Sequence, residues 1–326
     1  MLATTTAHEV SQSITDALVL SRIFSKRQKR YRGVSTPPFL DAAEQIMLPN
    51  GTNVTVQQAA LAMELMLSPI GTQNRAPWGE GSTWFGVDTL IDPVDAAVFS
   101  ALLFEGQPDL IIEIGTECGG SAVFFATMMA IYSRTARVLT YDVKPLWKRC
   151  ARHTGPAAGG RKTSKGYRSD LWKRHVQEGR IIPRIADVAS LAEQSAVRQY
   201  VANASRVWVV DDGDHFTTPL LVHFHLLARH VSPGGFYLIA DTRLEQTCAA
   251  HKHFMGGHIP WGYCRNLLGP LGGPSRAVTY LQHESAFFRD HFAVDRSAER
   301  WIFTQHPGGW LRRHSTQPRT GVLRTR

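Results

Sequence analysis

The chain has 326 residues, 43% of them hydrophobic and 19% charged. These are ordinary globular values, which exclude wholesale disorder, a collagen repeat and a coiled coil; at roughly 150 residues per domain they suggest two domains, or one large α/β domain with extensions. The net charge of +9 is concentrated in residues 22–32, with six Lys/Arg and no acid, and residues 312–326, with five Arg and no acid, while residues 33–311 carry equal numbers of acidic and basic side chains.

A basic stripe can neutralise phosphates, but both clusters read as solvated surface and tail, so nucleic acid is not an expected partner. Apolar runs such as Leu220 to Leu227, interrupted by His223 and His225, fall short of the ~18 residues that cross a bilayer. The first sixteen residues contain no Lys or Arg and no apolar stretch, so no secretory signal is read and a cytoplasmic protein is expected. Cys118, Cys150, Cys248 and Cys264 form no CxxC pair and read as reduced, mostly buried thiols. The glycosylation-like triplets at Asn50, Asn53 and Asn203 are taken as chance matches.

In chain order, Thr55 followed three residues later by Gln58 gives a capping-box start to an apolar helix through Ala60, Leu61, Met63, Leu65 and Met66. A helical extension is thus expected over residues 1–83. Asp92-Pro93 opens the next helix, with Asp92 as N-cap and Pro93 at the first helical position, where its missing N–H costs nothing. Strands are expected at Leu110–Ile114, Arg137–Asp142, Ile181–Ile185, Val207–Asp212 and Phe236–Asp241, mostly continuous apolar runs suited to burial on both faces. Helices are expected between them at Ser121–Ser133, Ala189–Asn203 and Thr217–Val231. Alternating βαβ units imply an α/β fold: a right-handed, doubly wound, mostly parallel sheet covered on both faces, binding ligands at its C-terminal strand edge. Residues 143–178 break this rhythm with ten Lys/Arg and two acids, and read as a lid insert.

The turn after the first strand reads Glu113-Ile-Gly115-Thr116-Glu-Cys-Gly119-Gly120-Ser121. Dinucleotide folds want G-x-G-x-x-G, whose second glycine admits a pyrophosphate; Glu117 stands there and would face phosphates with a negative charge. S-adenosyl-L-methionine has no phosphate to hold. It needs a close turn against its methionine end, here Gly119 and Gly120, and an acid after the second strand for the ribose hydroxyls, here Asp142. After the fourth strand comes Asp211-Asp212-Gly213-Asp214-His215, and after the fifth Ala240-Asp241-Thr242. Carboxylates converging there can hold Mg²⁺ through oxygen ligands, and His215 can take a proton from a hydroxyl. Asp212 and Asp241 could instead cap the helices that follow. His223, His225 and His230 read as packed or solvated, and Trp172, Trp208, Trp261 and Trp301 as core.

At these residues the chain resembles the cephalosporin hydroxylase and rhamnosyl O-methyltransferase family of class I S-adenosylmethionine-dependent methyltransferases. The resemblance runs from Trp84-Phe85-Gly86 and Asp92-Pro93-x-Asp95 through the glycine loop, Asp212-Gly213-Asp214-His215 and Pro233-Gly234-Gly235. It closes with Gly269-Pro270, Arg276-Ala277-Val278 and Pro307-Gly308-Gly309-Trp310. It covers residues 84–313, the methyltransferase domain it implies, and leaves 314–326 as a disordered basic tail. A Rossmann-like, seven-stranded sheet with its last strand antiparallel follows from it, with Phe292–Asp295 and Arg300–Gln305 as the hairpin.

The resemblance also implies cofactor contacts at Glu113, Gly115, Gly119, Ser121, Asp142 and Asp187; Thr116 and Gly120 of the same loop are expected to join them, and His215 and Asp212 are the expected catalytic residues. Related members hold their metal with an Asp after strand four and a Glu-Asp pair after strand five. Asp212 and Asp241 match, but Ala240 occupies the Glu position, leaving Asp214 or Asp211 to complete a set of Asp212, Asp241 and Asp214. The expected function is an O-methyltransferase acting on a hydroxyl of a small natural product or sugar with S-adenosylmethionine and an assisting Mg²⁺. The alternative, motivated by Ala240, is a catalytically silent methyltransferase-like partner subunit. Relatives that assemble imply a homo-oligomer.

Overall fold

The computed structural model describes residues 45–47, 53–55, 83–85, 87–89, 91–145, 164–251, 261–299 and 304–315. Two ribbons precede the main sheet, one pairing β1 (Gln45–Met47) with β2 (Asn53–Thr55), the other β3 (Thr83–Trp84) with β4 (Val87–Asp88). Thr55 ends the second of these strands, in keeping with the β-branched pair Val54-Thr55. The helix it is expected to cap, through residues 60–66, and the basic segment 22–32 lie outside the described residues.

α1 (Pro93–Gly106) starts as its sequence dictates, with Asp92 Oδ1 accepting the Val94 N–H at 2.8 Å. There follow β5 (Leu110–Ile114), α2 (Gly120–Tyr132), β6 (Arg137–Asp142), β7 (Ser164–Lys165), α3 (Asp170–Gln177), β8 (Ile181–Ile185), α4 (Leu191–Ala202), β9 (Val207–Asp211) and α5 (Thr217–Leu227). β10 (Phe236–Ile239), α6 (Leu244–His251), α7 (Trp261–Leu268), α8 (Pro274–Glu284), α9 (Ala286–His291), β11 (Phe292–Val294) and β12 (Trp310–Arg313) complete the chain order. The seven-stranded sheet runs β11-β12-β10-β9-β5-β6-β8, parallel from β10 to β8, with β12 antiparallel to both its neighbours.

The antiparallel strand is the last in sequence, as expected, and it is formed by residues 310–313; of the segment expected to supply it, residues 300–303 lie outside the described residues. The turn before the strand sets its place. A side chain at Gly309 would strike the Ile239 carbonyl, and without one the Ile239 N–H reaches the Gly309 carbonyl at 3.0 Å, seating the segment against β10.

Strand alternation sorts the core onto two faces. Ile111, Val138, Trp208, Val210, Phe236 and Leu238 pack toward Phe99, Leu103, Phe124 and Phe125 of α1 and α2. Leu110, Ile112, Ile114, Tyr141, Val207, Val209, Tyr237 and Ile239 pack toward Phe224 of α5, Leu281 of α8 and Phe288 of α9. Trp172 and Trp208 are core, as read from sequence; the side chains of Trp261 and Trp301 lie outside the described residues.

The second half of the basic insert is built into the domain. β7 pairs with β4, and α3 buries Trp172 beside α2, because its amphipathic sequence offers an apolar face to a sheet edge that needs covering. Residues 146–163 lie outside the described set. Two of the C-terminal arginines likewise serve the fold: Arg312 pairs with Asp295 at 3.0 Å and lies over the Phe236 ring, and Arg313 donates to the carbonyls of Arg229 and Val231.

The cysteines depart from expectation. Cys248 of α6 and Cys264 of α7 form a disulfide, and Cys118 is also disulfide-bonded. The sixteen-residue separation gives no hint of this; the chain reversal between α6 and α7 brings the two Cα atoms to 5.2 Å, within bridging range. Among the described residues no helix is long and apolar enough to cross a membrane.

Candidate active site

β5 leaves the sheet through a turn with three residues of positive φ, Gly115 (97°), Glu117 (44°) and Gly119 (81°). A side chain at 115 would strike the Asp212 carbonyl, so glycine there lets the loop touch the tip of β9. The Asp212 N–H closes the contact by donating to the Ile114 carbonyl at 2.9 Å. Gly119 has a different duty: a Cβ there would come within 2.5 Å of the Trp172 ring. Its missing side chain makes room for a core indole, and the space beside it is not open to a ligand.

Below the loop, parallel pairing sets Glu113 beside Thr140 on one face. The Thr140 hydroxyl donates to Glu113 Oε2 at 2.5 Å and lies 2.6 Å from the Thr116 hydroxyl, so Thr116 donates in turn to Thr140. Ser121 also hydrogen-bonds Glu113. Burial pushes the Glu113 carboxyl up to about 7, against the opposing pull of those hydroxyls. Glu113, Thr116 and Ser121 thus brace the loop from beneath, and buried Gly120 begins α2.

Asp142, at the tip of β6, accepts the Glu117 N–H at 3.0 Å and the Lys144 N–H at 2.9 Å. Its carboxylate rigidifies the loop. Asp187, past the end of β8, is exposed and accepts the Ala189 N–H at 2.8 Å.

At the tips of β9 and β10 the fold assembles Asp212, His215 and Asp241, whose ligating atoms all lie within 4.8 Å of one another. His215 Nε2 is 3.8 Å from Asp241 Oδ2. Burial, then repulsion from Asp241, Glu117, Glu113 and Asp211, holds the Asp212 carboxyl well above the usual range. Neither carboxylate caps a helix: α5 begins after Phe216 with no side-chain cap, and α6 takes the backbone carbonyl of Asp241 through Leu244 N–H.

Asp211 and Asp214 do not join this set. Alternation turns Asp211 to the opposite face of the sheet, where it is fully buried, contacts His223 Nδ1 at 3.1 Å and accepts the Tyr237 hydroxyl at 3.0 Å. Burial pulls the His223 pKa down, but the Asp211 charge and hydrogen bond outweigh it and the net displacement is upward. Asp214 is exposed. The third corner beside Asp212 and Asp241 belongs to His215.

His306 is the residue that sequence reading missed. Its Nδ1 accepts the Asp241 N–H at 2.9 Å, and its Nε2 lies 3.7 Å from Asp95 Oδ2. Asp95 in turn accepts the Thr304 hydroxyl at 2.5 Å and the Gln305 N–H at 2.9 Å. The only signal was position, immediately before Pro307-Gly308-Gly309.

Residues 77–159 match the family model described as Rhamnosyl O-methyltransferase/CmcI. A rhamnosyl O-methyltransferase of Mycobacterium leprae is 23% identical over 169 residues, 50% of this chain and 62% of that protein. One from Mycobacterium bovis (strain BCG / Pasteur 1173P2) is 23% identical over 239 residues, 72% of this chain and 78% of its own length. Against the first of these, the chain spans less than two thirds of its relative. A solved structure of CmcI-D160 with Mg and SAM is similar at a TM-score of 0.45 and 18% identity, over 89% of this chain and 95% of that one. The match at residues 77–159 takes in the glycine loop.

Proposed function

We propose that the chain is an S-adenosylmethionine-dependent O-methyltransferase acting on a hydroxyl of a small molecule, a sugar or sugar-bearing natural product. The observation that carries this reading is the contact between the two halves of the site: Gly115 lies against the Asp212 carbonyl, so the glycine loop and the Asp212–His215–Asp241 group share one strand edge. The relatives named rhamnosyl O-methyltransferases support a sugar hydroxyl as acceptor.

The residues present fit the cofactor. The braced turn at 115–120 brings backbone to the strand edge, Asp142 at the tip of β6 is a carboxylate of the type that accepts from ribose hydroxyls, and Asp187 lies past the end of β8, the strand beside β6. When bound, the cofactor supplies a methyl group on a sulfonium, and its transfer to a hydroxyl releases one proton. The chain orients the two reactants, an effect worth ~7–11 kcal/mol, and offers a proton acceptor, typically worth ~10²–10⁴-fold. His215 is the side-chain type suited to that task. For Mg²⁺ the fit is poorer, since Ala240 supplies no oxygen and Asp211 and Asp214 stand elsewhere. The silent-subunit alternative drew on Ala240, while the grouping of His215 with Asp212 and Asp241 supports the catalytic reading.

Isothermal titration of the full chain with S-adenosylmethionine, then transfer of a labelled methyl to a panel of sugars and glycosides, tests the reading. Cofactor binding with labelled product is expected. A folded protein that binds no S-adenosylmethionine would sink it.

A further inference from the structure

We propose that Asp212, His215 and Asp241 form a mixed carboxylate–imidazole site that takes a divalent transition ion, such as Co²⁺ or Mn²⁺, in preference to Mg²⁺. The inference rests on the methyltransferase reading of this strand edge and reassigns His215 within it, from proton acceptor to ligand.

Three observations converge. The position next to Asp241 holds the buried methyl of Ala240, which cannot ligate. The acids that might replace a lost oxygen are elsewhere, Asp211 committed to His223 and Tyr237 on the other face and Asp214 exposed. The side chain that does stand in the third place is an imidazole, with its ligating atom inside the same 4.8 Å group and Nε2 3.8 Å from Asp241 Oδ2. Ligands held at about 2.1 Å from one ion lie at most about 4.2 Å apart, so the set needs to close by about half an ångström. His215 Nδ1 is buried and meets no hydrogen-bond partner among the described residues, so no internal bond opposes that movement.

Donor chemistry then selects the ion. Mg²⁺ demands near-octahedral oxygen ligation and gives up water reluctantly. Imidazole nitrogen suits later first-row ions, while carboxylates accept Mn²⁺ as readily as Mg²⁺. One nitrogen exchanged for one oxygen therefore moves the preference away from Mg²⁺. The remaining ligands are already oriented: the Asp241 N–H is held by His306 and the Asp212 N–H by Ile114.

The test uses the full chain and the metals alone, without acceptor. Calorimetric titration with Co²⁺, Mn²⁺ and Mg²⁺ should show Co²⁺ binding at least about tenfold more tightly than Mg²⁺. Bound Mn²⁺ should show electron-spin-echo modulation from a coordinated ¹⁴N, a readout that needs no variant. His215→Ala should cost at least about tenfold in Co²⁺ affinity, the scale on which even supporting groups act, and abolish the nitrogen modulation. Ala240→Glu should narrow the Co²⁺/Mg²⁺ ratio. Equal or tighter Mg²⁺ binding, no nitrogen modulation, or no ion bound by a protein that still binds S-adenosylmethionine overturns the inference and leaves the methyltransferase reading standing. Loss of S-adenosylmethionine binding with His215-dependent Co²⁺ binding intact fails the opposite way.

Discussion

His306 Nδ1 accepts the backbone N–H of Asp241 at 2.9 Å, and this bond holds Asp241 in a left-handed conformation, φ 53°, that a non-glycine residue adopts only when its surroundings enforce it. Without the imidazole, the Asp241 carboxylate should lose its aim at Asp212 and His215. His306→Ala is expected to lower methyl transfer about 10–100-fold, the usual cost of removing a group that orients a ligand. His306→Asn, whose Oδ1 can stand near Nδ1, should recover much of that loss. Equal activity in the Ala and Asn variants would show that the bond does not position Asp241.

Gly119 admits the Trp172 ring while adopting φ 81°. Gly119→Ala combines overpacking with left-handed strain and should destabilise the protein by about 1–3 kcal/mol, read from the denaturant midpoint. An unchanged midpoint with weakened cofactor binding would move Gly119 from the core to the binding surface.

Asp142 is the acid at the tip of β6 that holds the glycine loop through the Glu117 N–H. Asp142→Ala should weaken S-adenosylmethionine binding by about 1–3 kcal/mol, through lost charge-assisted hydrogen bonds and a loosened Glu117 turn. An unaltered dissociation constant would place the ribose away from β6.

The Glu113 carboxyl rises from 4.5 to about 7 on folding. Its folded form therefore binds the proton more tightly than the unfolded chain does, so its stabilising contribution is complete below about 4.5 and is lost as pH rises toward 7. At one pKa unit per 1.36 kcal/mol the loss is about 3 kcal/mol. Asp92, raised from 3.8 to about 7 chiefly by burial, acts in the same direction. Glu113→Gln should raise the melting temperature at pH 8 relative to the parent and leave it nearly unchanged at pH 4.5. A difference independent of pH would show that Glu113 is ionised in the fold.

The Cys248–Cys264 bridge closes a loop of sixteen residues. Loops of about that size gain about 3 kcal/mol when cross-linked. Cys248→Ser, or reduction, should lower the melting temperature accordingly; unaltered melting would mean that α6 and α7 are held by Leu244, Leu267 and Tyr263 packing alone.

The parallel core was legible in sequence because each of its strands is a local statement. Leu110–Ile114, Arg137–Asp142 and Ile181–Ile185 are apolar runs of strand length between turn and helix signals, and the sheet reproduces their bounds. The glycine loop and the Asp92 cap were legible for the same reason. What depended on side-chain direction and on contacts between distant segments was decided only in three dimensions. Asp211 and Asp212 are adjacent in sequence, yet alternation sends one to His223 and the other to the site. Asp241 and His306 meet across 65 residues, and Cys248 and Cys264 meet only because the chain doubles back. Composition and period carry burial and secondary structure; the company a charged or sulfur-bearing side chain keeps is set by the register between strands, and no local pattern contains that.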